Sequence, residues 1–186
     1  LDLLTQAQKD RYIGTVADVM VTSLLVFGFV HCDGHLGNCL ACIDDGYSAA
    51  ILDFGICHRF STTDIDNIYE FLRAVADKKH SVMCSRFLKN FTDFPDGAPV
   101  HAQLNMDTSS IIYSVFYKSR CFSVLEMSRL YTSLASHGIK TTSTWKRLEL
   151  ALISADGLFR QMSNSGPGLV DMILTKVRGM DSLSAS

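Results

Sequence analysis

Residues 30 to 55 read VHCDGHLGNCLACIDDGYSAAILDFG, with Asp45-Gly46 between two short apolar runs. That dipeptide constrains the fold more than any other feature of the chain. Asp-Gly favours the left-handed turn that closes a two-residue hairpin, so NCLACI and SAAILDF are expected to be its two strands. Elsewhere the pattern is helical. Residues 5 to about 28 are polar at first and then apolar nearly all round, which predicts a helix buried at its end and stopped at Gly28. Thr63 and Asp66 resemble a capping box, followed by Ile65, Ile68, Tyr69, Leu72, Val75 and Ala76 at helical spacing. Further helices are expected over 80–91, about 108–119, 123–136, 144–162 and 169–178, with a loop at 92–99 and Gly138 closing the helix before it. The expected fold is mostly α (α+β), a helical bundle with one small β-hairpin. It forms a single domain over 1–186, with the loop and hairpin at 31–55 and the helical remainder at 62–180.

The chain has 186 residues, 47% of them apolar, enough for a real core. Its net charge of -2 offers no electrostatic footprint for nucleic acid, and none is expected as a partner. Six cysteines are too few for a small disulfide scaffold, so reduced thiols in an intracellular compartment are expected. No targeting segment is visible. The longest apolar run, 19–30, is too short to span a bilayer. The chain begins at Leu1, and a fragment of a longer protein is expected.

A two-residue turn at Asp45-Gly46 would set Asn38 opposite Asp53 at the open end of the hairpin, with Cβ atoms about 4.5–5.5 Å apart. A carboxylate and an amide oxygen at that separation can share Mg²⁺, which takes a few protein oxygens and completes its shell with water and phosphate. Asp33 lies five residues before Asn38 on the feeding loop, where a carboxylate can take a hydroxyl proton or orient a nucleophile. A one-residue change of register would undo this pairing. His31, Asp33, Asn38 and then Asp53-Phe54-Gly55 reproduce the protein-kinase order of catalytic loop, hairpin and Asp-Phe-Gly. Phosphoryl transfer needs these parts: a positioned carboxylate and two oxygen ligands for the metal on the phosphates.

FVHCDGHLGN followed by ILDFG resembles the UbiB or aarF-domain (ADCK) family of atypical kinases. The family's loop reads His-x-Asp-x-His-Pro-Gly-Asn. This chain keeps His31, Asp33, His35, Gly37, Asn38, Asp53, Phe54 and Gly55. The resemblance implies a protein-kinase-like C-lobe, with Asp33 in the catalytic position and Asn38 and Asp53 holding Mg and the nucleotide. His31, His35, Gly37, Phe54 and Gly55 are implied in support. ATP and Mg are the implied cofactors, with ATPase or kinase (transferase) chemistry. A link to coenzyme Q or isoprenoid-lipid metabolism, a lipid- or membrane-associated partner and a mitochondrial or plastid location are implied as well. The chain departs from the family at Gly34 and Leu36, where prolines are usual, and this is expected to loosen the loop. The phosphate-covering loop, the ATP-contacting Lys and the Lys-x-Gly-Gln extension have no counterpart, so the N-lobe is expected to be absent and the isolated chain inactive.

The contrasting readings are a non-catalytic pseudokinase module that binds a protein or lipid, and a zinc site. Cys39-x-x-Cys42 near His31, His35, Cys57 and His58 invites zinc. Three-residue spacing on a strand, however, points the two thiols to opposite faces. His31 is expected to be structural, its ring bonded to backbone, and Gly37 and Gly55 to be conformational.

Overall fold

The computed structural model describes residues 4–42, 48–118, 122, 124–162 and 168–184. The fold is mostly helical with two small two-stranded sheets, as expected of its class. Helix α1 (Gln6–Phe27) opens on a reciprocal capping box between Thr5 and Gln8. It closes at Gly28, whose φ of 62° and N–H to Leu24 O (3.1 Å) make a left-handed cap. A Cβ at Gly28 would also lie 2.4 Å from the Ile65 side chain, so the helix turns into the following strand only through a residue without one.

Strand β1 (Phe29–His31) follows, then a 3₁₀ turn over 36–38, β2 (Cys39–Cys42), β3 (Ser48–Ile51) and β4 (Cys57–Arg59). β2 and β3 form the expected hairpin, but in a different register. Cys39 pairs with Ile51 and Cys42 with Ser48, and Leu52 N–H donates to Asn38 O at 2.8 Å. Asn38 therefore lies beside Leu52, not opposite Asp53. Five residues lie between the paired ends. They carry Asp45-Gly46, which lies outside the described residues. Strand pairing also ends at Ile51, because Asp53 takes a positive φ of 51° and its Oδ1 accepts the Gly55 N–H at 3.1 Å. β1 and β4 pair antiparallel, with His31 opposite Cys57. Three-residue strands 25 residues apart carry no alternation that a sequence pattern could register.

Helices α2 (Thr62–Ala76), α3 (His80–Phe91) and α4 (Ala102–Tyr113) come next. A wide turn over 114–118 leads to α5 (Val124–Ser136), α6 (Ser143–Met162) and α7 (Leu169–Ser184). The cap of α2 is Ser61 with Asp64, two residues before the expected Thr63–Asp66 pair. One Asp64 oxygen receives the Ser61 N–H and O–H, and the other receives Thr144 O–H from α6 at 2.9 Å. That tertiary bond favours the earlier pair. α4 begins about six residues before its expected start. Its first turns are exposed apart from buried Leu104, Met106 included, so the buried apolar period begins late.

The core centres on Phe71 of α2, fully buried and in ring contact with Phe87, Phe91, Phe116 and Trp145. Such tilted and edge-on pairs add about 0.5–1.5 kcal/mol each beyond area burial. α7 closes the bundle on α1 and α2. Lys176 pairs with Asp18 at 3.0 Å, and the Arg178 guanidinium donates to Ala76 O at 3.0 Å. Among the described residues no helix is long and apolar enough to cross a membrane.

Candidate active site

β1 delivers His31 into the interior, and its imidazole organises the site. Nδ1 accepts the Asp33 N–H at 3.2 Å, so the ring proton sits on Nε2, which donates to Asp53 O at 2.9 Å with Leu52 O at 3.2 Å. One ring thus ties the loop of Asp33 to the backbone of Asp53, which is the structural part expected of it. Phe54 stands edge-on to the same ring at 5.8 Å and is 57% exposed. Behind His31 lies an apolar cavity of about 310 Å³ between α1, α6 and α7, lined by Leu24, Leu152 and Ile173 among others. The polar atoms of His31 therefore turn to backbone on the loop side.

Asn38 is buried. Its Nδ2 donates to Asp33 O at 3.0 Å, and its own carbonyl accepts from Leu52. The peptide of Asp33 is held at both ends, by His31 and by Asn38, while its side chain stays half exposed. His35 accepts the Gly37 N–H on Nδ1 at 3.1 Å and turns Nε2 to the Asp33 carboxylate at 3.8 Å. A Cβ at Gly37 would lie 3.0 Å from the His35 ring, and one at Gly55 3.0 Å from Asp53 Oδ1. These two glycines leave room for side chains. Neither takes a positive φ, which falls instead on Asp53.

Gly34 N–H donates to Ser154 Oγ on α6, and the same hydroxyl reaches back to Gly34 O at 3.4 Å. A proline there would have no N–H to give, so the glycine at this position ties the loop down where a looser loop was expected. No sequence signal points to Ser154, 120 residues away. Ser154→Ala should cost about 0.5–1.5 kcal/mol and raise hydrogen exchange at Gly34 selectively over the β2–β3 amides. Exchange unchanged at Gly34 would refute the tether.

Two other groups flank the loop. Arg147 of α6 donates to His58 Nε2 at 3.2 Å, and burial first, then the Arg147 charge, hold the imidazole below its ordinary pKa. Burial pushes the Cys32 and Cys39 thiols up, which opposes thiolate formation. Among the described residues no three His, Cys, Asp or Glu side chains gather as metal ligands. The side chain of Cys42 lies outside the described residues. What this network ties together is backbone: His31 joins the Asp33 N–H to the Asp53 carbonyl, and Asn38 holds the Asp33 carbonyl. Apart from the His35 contact, neither the Asp33 nor the Asp53 carboxylate has a basic partner among the described residues.

No curated protein matches the chain. Residues 2–86, which carry α1, the loop, both strand pairs and α2, match the family model of the ABC1 atypical kinase-like domain, in keeping with the resemblance of the loop to the UbiB or aarF-domain kinases.

Proposed function

We propose that this chain carries the metal- and phosphate-facing half of an ATP-dependent atypical kinase or ATPase. The observation that carries the reading is the His31 bridge, which links the amide of Asp33 to the carbonyl of Asp53 while Asn38 holds the Asp33 carbonyl. In this reading Asp33 orients the nucleophile or accepts its proton. Asn38 and Asp53 hold Mg²⁺, which when bound neutralises the phosphate oxygens of ATP. The amide oxygen of Asn38 is the end that can ligate, since its nitrogen is spent on Asp33. Asp53 keeps Oδ2 for the same purpose, since Oδ1 takes the Gly55 N–H. His31 keeps these groups in register, and His35 places a proton donor beside Asp33. The ABC1 match supports a kinase-like family. The nucleotide's second wall, a link to coenzyme Q or isoprenoid-lipid metabolism, a lipid- or membrane-associated partner and a mitochondrial or plastid setting rest on the resemblance alone.

Mn²⁺-ATP, a paramagnetic stand-in for MgATP, tests the metal assignment on the chain itself. It should broaden the amide signals of residues 33–38 and 53–55 before others. Asp53→Asn removes a ligand charge and keeps its shape, and should raise the Mn²⁺-ATP concentration needed by about tenfold or more. Broadening spread evenly over the surface, or unaltered in a folded Asp53→Asn chain, would defeat the assignment. It would leave the non-catalytic interaction module as the better reading.

A further inference from the structure

Away from the loop, α5 and α6 enclose an open groove of about 380 Å³ lined by Val124, Met127, Tyr131, Ala135 and Glu149. Met127 is buried at its floor, and Val124 is 64% exposed at its rim. Glu149 is the one acid in the lining. Its Oε2 accepts the Tyr131 O–H, and among the described residues no Lys, Arg or His forms an ion pair with it. The charged residues of α5 nearest in sequence to Tyr131, Glu126 and Arg129, pair with each other at 3.1 Å. Lys146, one turn earlier on α6, forms no ion pair with Glu149. Tyr131 is the titratable group that α5 places against it. Burial raises the Glu149 carboxyl to about 7. A half-buried carboxylate in an apolar recess, with no counter-ion among the described residues, is costly unless a cation enters with it.

We propose that the groove between α5 and α6 is a binding site for an organic cation with an apolar flank, a guanidinium or amidinium that pairs with Glu149 while its body lies on Met127 and Val124. Neither the nucleotide reading nor the family match involves this groove, and the site stands or falls apart from them. The planar cation would meet the carboxylate oxygens at the floor, with the Tyr131 hydroxyl fixing their orientation. An ammonium on a polar stem would forgo the apolar contact.

Benzamidine and its neutral isostere benzamide test this by NMR titration of the α5 and α6 amides. Benzamidine should bind saturably, and benzamide at least about tenfold more weakly. Because a cation needs the ionised carboxylate, affinity should rise by about tenfold between pH 6 and pH 8 and then level off. Glu149→Gln keeps the acceptor for Tyr131 and should abolish both the preference for the cation and the pH dependence. The same variant separates a site from a fold defect. In the parent chain the raised carboxyl binds a proton that the unfolded chain has released, so stability falls as pH rises from about 4.5 to about 7. Glu149→Gln should flatten that slope and melt no lower than the parent at pH 8. Equal binding of benzamide and benzamidine, benzamidine binding unchanged in Glu149→Gln, or no saturable binding up to about 50 mM at pH 8 would each overturn the proposal. An acetylated Leu-Arg-Leu amide then distinguishes sources. Binding tighter than benzamidine assigns the groove to an arginine of a partner protein, weaker binding assigns it to a small cation, and both outcomes uphold the site.

Discussion

Asp33→Asn, in a form of the protein that turns over ATP, should lower turnover by about 10²- to 10⁴-fold and leave MgATP affinity within about threefold. The amide keeps the size of the carboxylate and loses its ability to take a proton. The peptide around it should not move, because the backbone of Asp33 is held by His31 on one side and Asn38 on the other. The lost contact with His35 is 3.8 Å long and half exposed, so its contribution to stability is small. Cys39→Ser is the matching control. Cys39 is buried, its thiol is pushed up by burial, and the change should cost about 1–3 kcal/mol in stability with turnover per folded molecule unaltered. Turnover within threefold of the parent in a folded Asp33→Asn protein would remove Asp33 from the chemistry. Bound zinc lost with Cys39 would revive the thiolate reading.

Phe71→Ala should destabilise the chain by about 3–5 kcal/mol. Phe71 is fully buried and touches four other rings from α3, α6 and the wide turn after α4, so the vacated space cannot collapse without moving three elements. Urea unfolding followed by circular dichroism measures it. A midpoint shift worth less than about 1 kcal/mol would mean that the rings do not share one core. The expected loss is a large part of the stability of a domain this size, and the variant should be partly unfolded at physiological temperature.

Elements whose burial repeats at helical spacing were legible in the sequence. α3, α5 and α6 fall within about a residue of their expected bounds, because buried apolar side chains recur along them at helical spacing. Gly28 was legible as a stop because a left-handed cap favours that residue type. The kinase-like order of His31, Asp33, Asn38 and Asp53-Phe54-Gly55 was legible as a family resemblance, and the match over residues 2–86 bears that out. What escaped depends on partners distant in the chain. The α2 cap moved to Ser61–Asp64 through a bond from Thr144, and the loop gained its tether from Ser154. The hairpin register failed by one residue along the whole ladder: Cys42 pairs with Ser48 and Cys39 with Ile51, so counting pairs outward from Asp45-Gly46 placed Asn38 against the wrong residue.

Trp145 is the chain's single tryptophan, and it is 1% exposed. Its indole sits edge-on to Phe71 and Phe87, shut off from water. The native emission should therefore lie toward the blue and resist quenching by acrylamide, shifting red in step with loss of the core. Ser154, which ties down the loop, is nine residues further along α6, about 13.5 Å on helical rise. Intrinsic fluorescence of this protein is thus a gauge of global folding and a poor witness to events at the loop. A second fluorophore at exposed Phe54, introduced as Phe54→Trp with Trp145→Phe, would give the loop its own optical signal.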